Sequence, residues 1–413
     1  MESKAKLAKG KIGSDSGLTL FSRRRFIAGA TALGTFTIAS PSSARSFQAN
    51  SALDLGLVGC GGRGNWIADL FQKSGKYRLA ACADYFQDKV HATGERFGID
   101  RARRHVGLFG YRRLLEGKLD AVAIETPPYF HPEQSAAAVD AGKHVFLAKP
   151  IAVDVPGCRA IAEAGRRASE KKLVFLVDFQ TRANPLFREA ARRVHRGDIG
   201  ELVLAEAHYP WAGGGRGKPP EDREERLRSW YYVLELSGDF IVEQSIHSLD
   251  IAGWILARDP LRARGTGGQK LRPKGSIWDH FAVTYWFPGD IVLSFTCIQS
   301  VPGVKDEISC RVFGADGVFY GDYFGDVWIR GTKPYEGGST GNLYLTGTVT
   351  NIEEFYECVT RGDAANRTVA ESVRSNLMAI LGREAGYRGG EVTWEELLAT
   401  AKKLELDTRG LKA

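Results

Sequence analysis

The chain has 413 residues, 43% hydrophobic and 25% charged, the composition of a globular enzyme with room for two cores and not of a disordered or fibrous chain. Its formal net charge is +7, but residues 1–44 carry +5 of that and about +2 remains for the rest. A balance this small calls for no polyanionic partner, so nucleic acid is not an expected ligand.

At the N-terminus, Ser22-Arg23-Arg24-Arg25-Phe26-Ile27 is a twin-arginine pattern. A lysine-bearing stretch precedes it, a mildly apolar run from Ala28 to Ala39 follows, and Ser42-Ser43-Ala44 offers the small residues a signal peptidase reads. The expectation is a signal over 1–44, engagement of the twin-arginine export machinery and a periplasmic or otherwise exported location. A disordered basic tail is the alternative. The apolar run is too short and weak for a transmembrane helix. The six cysteines are scattered without C-x-x-C spacing, so neither a disulfide framework nor a zinc site is expected.

From 45 to 151 strand-like and helix-like patterns alternate, which predicts a doubly wound parallel sheet. Strands are expected near 54–59, 79–83, 120–125 and 144–148, with helices near 65–73, 86–97, 111–116 and 132–141. The first strand runs into Gly59-Cys60-Gly61-Gly62-Arg63-Gly64, and the second ends in Asp84, twenty residues beyond Gly64. This is a dinucleotide fingerprint. Gly59 allows the tight turn, Gly61 lets backbone approach a pyrophosphate, and Gly64 lets the helix lie close to the strand. Gly62 and Arg63 complete the loop. Asp84 is placed to accept from an adenosine ribose, which favours NAD over NADP, since a 2′-phosphate would meet its charge. Thr126-Pro127 follows the strand ending at Glu125, at the sheet edge where ligands collect. His131 is read either as a contact to the nicotinamide side or as a helix cap. The next strand ends in Lys149-Pro150, and proline holds the preceding lysine extended beside the cofactor.

Residues 152–413 change character. A helix is expected near 155–170. Longer, alternating runs follow at Leu173–Phe179, Leu202–His208, Phe281–Phe287, Ile291–Ile298 and Glu307–Phe313, predicting a mostly antiparallel open sheet. The glycine-rich, charged stretch 211–228 reads as a lid that sets specificity, and 347–405 as mostly helical. Gln180 and Arg182 are expected to reach the interdomain cleft, where Arg182 meets either substrate or a salt-bridge partner. Glu243 and His247, four apart, are expected on one helix face with Asp250 a turn later. An acid beside a histidine suits proton transfer; a solvated face or a metal site are the blander and rarer alternatives.

Taken together, the glycine loop, Asp84, Thr126-Pro127, Gly142 to Pro150, Gly238 to Asp250 and Ile380-Leu381-Gly382-Arg383 resemble the Gfo/Idh/MocA family of sugar and inositol oxidoreductases. The resemblance implies a Rossmann domain, then an α/β domain whose open sheet often forms oligomers, hence a homo-dimer or tetramer. It implies a catalytic set of Lys149, Glu243 and His247. Two departures stand out: the family's Glu before the lysine is Ala148, and its Asp is Glu243. The implied activity is hydride transfer between NAD and a secondary hydroxyl of a sugar, glycoside or cyclitol held by Lys149, Arg182 and His247. Export favours a cofactor that stays bound. A redox-assisted glycoside hydrolase and a non-catalytic sugar- and NAD-binding protein are the other readings.

Overall fold

The computed structural model describes residues 52–218, 220–273, 277–400 and 402–413. The twin-arginine segment lies outside them. The described residues form one compact unit built around two sheets.

The first sheet is parallel throughout. Its strands are β1 (Leu53–Val58), β2 (Tyr77–Asp84), β3 (Arg104–Val106), β4 (Ala121–Ile124), β5 (His144–Ala148) and β6 (Phe175–Asp178), in the order β3-β2-β1-β4-β5-β6. The central strands are apolar on both faces because helices cover both sides. β6 is a correction to the sequence reading, which grouped Leu173–Phe179 with the second sheet. Phe175, Leu176 and Val177 are all buried, and β6 pairs in parallel with β5, Ala148 opposite Asp178. A strand buried on both faces carries no alternation to reveal its partner. Its outer edge is covered: Phe175 N donates to Asn366 Oδ1 (2.7 Å) and Val177 N to Thr368 Oγ1 (3.1 Å), which removes the hazard of an open edge.

The second sheet has nine strands: β7 (Leu202–Trp211), β8 (Arg262–Gly268), β9 (His280–Phe287), β10 (Ile291–Gln299), β11 (Ser309–Gly314), β12 (Gly317–Asp322), β13 (Asp326–Gly331), β14 (Tyr335–Ser339) and β15 (Glu391–Thr393). The order is β14-β13-β12-β11-β7-β10-β9-β8-β15. All neighbours are antiparallel except β7 and β10. Strict alternation drives it: Phe281, Val283, Tyr285 and Phe287 point into the core, while Ala282, Thr284 and Trp286 between them do not. Helices Ile246–Leu256 and Arg367–Arg388 supply the buried side of that core.

The expected lid at 211–228 is more ordered than its composition suggested. Asp222 caps a helix over Arg223–Arg228, and Leu227 is buried with Phe86 and Leu236. Among the described residues, no helix is long and apolar enough to cross a membrane.

Candidate active site

The glycine loop sits between β1 and the helix Gly62–Lys73, and its geometry fits a pyrophosphate. Gly59 has φ +102°, and a Cβ there would lie 2.6 Å from the Glu125 carbonyl carbon. A Cβ at Gly64 would lie 1.9 Å from Gly59 O, so only glycine allows helix and strand to pack this closely. At Gly61 and Gly62 a Cβ would meet nothing within 4 Å, which leaves the helix N-terminus open to an anion. Asp84 fastens the loop, accepting from Cys60 N (2.8 Å) and Phe86 N (2.9 Å). Asp84, Gly59, Gly61, Thr126 and Pro127 line one cavity of about 90 Å³. Leu227 and Trp230 also line it, so the expected lid reaches the dinucleotide side.

A second cavity, of about 240 Å³, lies beyond the carboxyl edge of β5 and β6. It brings Lys149, Glu243 and His247 together with Arg63 and Gln180. Tyr209, Trp211, Tyr323, Phe324 and Tyr344 form its aromatic walls. Lys149 Nζ donates to the Glu243 carbonyl (2.5 Å) and lies 3.4 Å from Glu243 Oε1. Burial, with Arg63 nearby, pushes the Lys149 ammonium below its usual range against the pull of Glu243.

Glu243 does not hold His247, as the spacing had suggested. The helix is not continuous: Gly238 and Asp239 adopt left-handed conformations, Phe240–Glu243 makes one turn, and a new helix starts at Ile246. Glu243 and His247 therefore lie on different helices. Arg383 pins the turn, donating to Val153 O (2.7 Å) and Gly238 O (3.0 Å). His247 sits edge-on to Phe179 and Tyr323, its Nδ1 buried without a partner. Burial first, then Lys149 and Arg63, holds its proton affinity well below the usual imidazole range, so the ring is neutral at pH 7.

Three more expectations need correction. Arg182 is not in this cavity. Its guanidinium is spent on Asp250 (2.8 Å) and Glu371 (2.5 Å), and it stacks on Trp254. β6 ends at Asp178, so Arg182 rides on a helical turn, Gln180–Ala183, that faces it away. Asp250, grouped by spacing with Glu243 and His247, is its buried counter-ion. His131 neither lines the cavity nor caps a helix. Its ring nitrogens lie 2.8 Å from Pro150 O and 2.7 Å from Thr126 O, tying the Thr126 turn to the lysine turn. Burial pushes its proton affinity down, to about 4, against the pull of those two carbonyls. The Arg63 side chain, counted with the cofactor-binding loop, is engaged by other side chains instead. It crosses the sheet edge to Asp178 (2.5 Å) and Tyr344 Oη (3.0 Å), with Nε 3.1 Å from Glu125 Oε2.

Sequence reasoning missed Glu125 and Asp178 as site residues. The available signal was an acid closing an apolar strand at the ligand edge, present at both. Among the described residues, no cluster of three or more His, Cys, Asp or Glu is arranged to hold a metal.

Residues 53–179 match the profile described as the oxidoreductase family, NAD-binding Rossmann fold, and 187–320 match the GFO/IDH/MocA C-terminal domain. The chain belongs to the GFO/IDH/MocA family of oxidoreductases. Within that family it is 25% identical over 231 residues to scyllo-inositol 2-dehydrogenase (NAD(+)) of Bacillus subtilis, 56% of this chain and 58% of that protein. The chain thus spans little more than half of that curated relative. A levoglucosan dehydrogenase solved with NADH and levoglucosan superposes with a TM-score of 0.66 at 18% identity, covering 83% of this chain and 99% of that one. The aldose-aldose oxidoreductase of Caulobacter crescentus, solved with glycerol, gives 0.65 at 20% identity, 83% and 100%. At these identities the likeness is one of fold.

Proposed function

We propose that this protein is an NAD-dependent dehydrogenase acting on a secondary hydroxyl of a sugar, glycoside or cyclitol. The observation that carries this is the shared cavity: the Lys149 ammonium and the neutral His247 ring face one space beside the edge where the dinucleotide fold ends. NAD supplies the hydride acceptor when bound, and the rest falls to this chain. His247 is neutral and has room for a proton, so it serves as the base for the hydroxyl. Lys149, held by Glu243, donates to the substrate oxygen and orients it. Glu243 acts on the lysine alone. The aromatic walls suit the apolar face of a pyranose or cyclitol ring.

The relatives' names support this substrate class. Inositol, levoglucosan and aldoses are polyols carrying ring hydroxyls. Asp84 favours NAD over NADP. The twin-arginine pattern at 22–27 supports export in folded form, with the dinucleotide retained inside and turned over by oxidising one sugar and reducing another.

A row of apolar side chains supports a homo-oligomer. Trp286, Val292, Leu204, Phe313 and Val318 lie side by side across β9, β10, β7, β11 and β12 on the face away from the helices.

The test is Lys149→Ala. Turnover of the best polyol substrate falls by about 10³-fold, in the range of a lost acid–base group, while dinucleotide binding measured by calorimetry persists. Undiminished turnover in that variant refutes the assignment. Denaturing the pure protein and identifying any dinucleotide released tests retention separately.

A further inference from the structure

Glu125 closes β4, one residue past the registered pair Ile124–Leu147, and therefore lies beside Ala148. On the other side of Ala148, β6 presents Asp178 in direct register. The position where the family resemblance calls for a glutamate is thus empty of charge but flanked by two acids. They share one face, since Arg63 reaches both.

The two acids are not equally satisfied. Asp178 accepts from Arg63, Gln180 Nε2 (2.9 Å) and Asn351 Nδ2 (2.8 Å). The Glu125 side chain is fully buried, yet neither of its oxygens has a hydrogen-bond donor. Arg63 Nε is 3.1 Å from Oε2 but misaligned, and it too is an orphan. A buried carboxylate without donors costs several kcal/mol, and Glu125 answers as expected: burial holds its carboxyl up at about 7, although Arg63 and Lys149 oppose this. Glu125 also lines the dinucleotide cavity. Its carboxylate oxygens are themselves closed off from that cavity, so a ligand there meets Glu125 through its charge.

We propose that Glu125 serves the nicotinamide half of the bound dinucleotide with the carboxylate absent at position 148, and that it favours the oxidised, cationic ring over the reduced, neutral one. This rests on the NAD-dependent reading above. The ring's positive charge stabilises the ionised carboxylate buried beside the cavity. The charged groups around it are Arg63 on the first helix, Lys149 after β5 and Asp178 at the end of β6, with Glu243 and His247 beyond Lys149. Of these, His247 stays neutral near pH 7, Asp178 is already matched by Arg63, and Lys149 is matched by Glu243. Glu125 is left to set the charge offered to the ring.

The experiment measures dissociation constants for NAD⁺ and NADH, by calorimetry on protein freed of copurified dinucleotide, at pH 6 and pH 8.5. In the wild type, NAD⁺ binds more tightly at pH 8.5 than at pH 6, as Glu125 ionises, and NADH gains less. In Glu125→Gln the preference for NAD⁺ at pH 8.5 falls by about tenfold, the effect of one opposite charge within roughly 4–6 Å, and the pH dependence of the preference disappears. An unchanged ratio in Glu125→Gln overturns the proposal. Should that variant fold poorly, the wild type decides alone: a NAD⁺/NADH preference that is flat from pH 6 to 8.5 also overturns it. Failure of the wild type to bind either form is a different result, since it sinks the NAD-dependent reading itself.

Discussion

Two arginines in this protein are alike in sequence and unlike in use. Arg63 holds the sheet edge beside the reacting groups, whereas Arg182 and Asp250 form a buried pair away from them, with Ser375 Oγ also donating to Asp250 (2.6 Å). Removing Asp250 leaves the buried Arg182 guanidinium with the part-exposed Glu371 as its counter-ion. Asp250→Ala is therefore expected to cost about 3 kcal/mol, the low end for a broken buried pair, read as a drop in denaturant midpoint, while the KM for substrate in the folded fraction stays within a fewfold. A large KM rise without loss of stability would return Arg182 to the substrate site. His247 makes a prediction in pH. In the proposed reaction its neutral form is the base, and its proton affinity lies well below the usual imidazole value. The rate of hydroxyl oxidation should thus pass through pH 6.5 without the fall an ordinary histidine would cause, and decline only at lower pH. A half-maximal rate at 6.5 that vanishes in His247→Asn would place an unperturbed imidazole in the mechanism instead.

At the level of elements, the segments that close the dinucleotide side come from far along the chain. The C-terminal residues cross the loops after β2 and β3. Leu108 N donates to Lys412 O (3.0 Å), Arg223 pairs with Asp407 (2.5 Å), and Leu406 is buried against the cluster of Phe86, Leu227 and Leu236. Ending the chain after residue 403 exposes that cluster and forfeits about 1.5–3 kcal/mol from Leu406 alone. The expected result is faster NAD release with little change in turnover at saturating NAD, measured by stopped-flow fluorescence. An unchanged release rate would mean that the C-terminal segment only decorates the surface. His144 couples two strands in another way. Its Nδ1 accepts from Val174 N (2.8 Å), and burial pushes its proton affinity down to about 4. Below pH 6.5 the unfolded chain takes up a proton that the folded chain refuses, so this contribution declines as pH falls from 6.5 towards 4. Comparing wild type and His144→Gln in urea at pH 7.5 and pH 5 should show that stability falls less with acid in the variant.

At the scale of the whole molecule, the outer face of the nine-stranded sheet presents the apolar row of Trp286, Val292, Leu204, Phe313 and Val318. Leu204, at the middle of the apolar row, is partly exposed. A charge there is costly if that face is covered by a second copy. Leu204→Glu should lower the mass seen by light scattering after gel filtration to that of one chain, without loss of folded signal. An assembly that withstands the change would lie on another surface.

The glycine loop, Asp84 and the parallel strands were legible in the linear chain because the steric and hydrogen-bonding demands that select them are local. A turn needs its glycine, and a buried strand needs its apolar run, whatever lies elsewhere. Lys149, fixed at a strand end by its proline, was legible for the same reason. The roles of Glu243, His247, Arg182 and His131 were not, since each depends on which charge or carbonyl the fold brings near it from another element. Helical spacing put Glu243 beside His247; two left-handed residues and a broken helix sent it to Lys149 instead. Glu125 is the clearest case. Its place in the chain says only that an acid ends a strand, while strand register, burial and a misaligned arginine leave it the one acid at that edge without donors. Long-range pairing decides such matters, because in a buried site the electrostatic environment comes from neighbours that are remote along the chain.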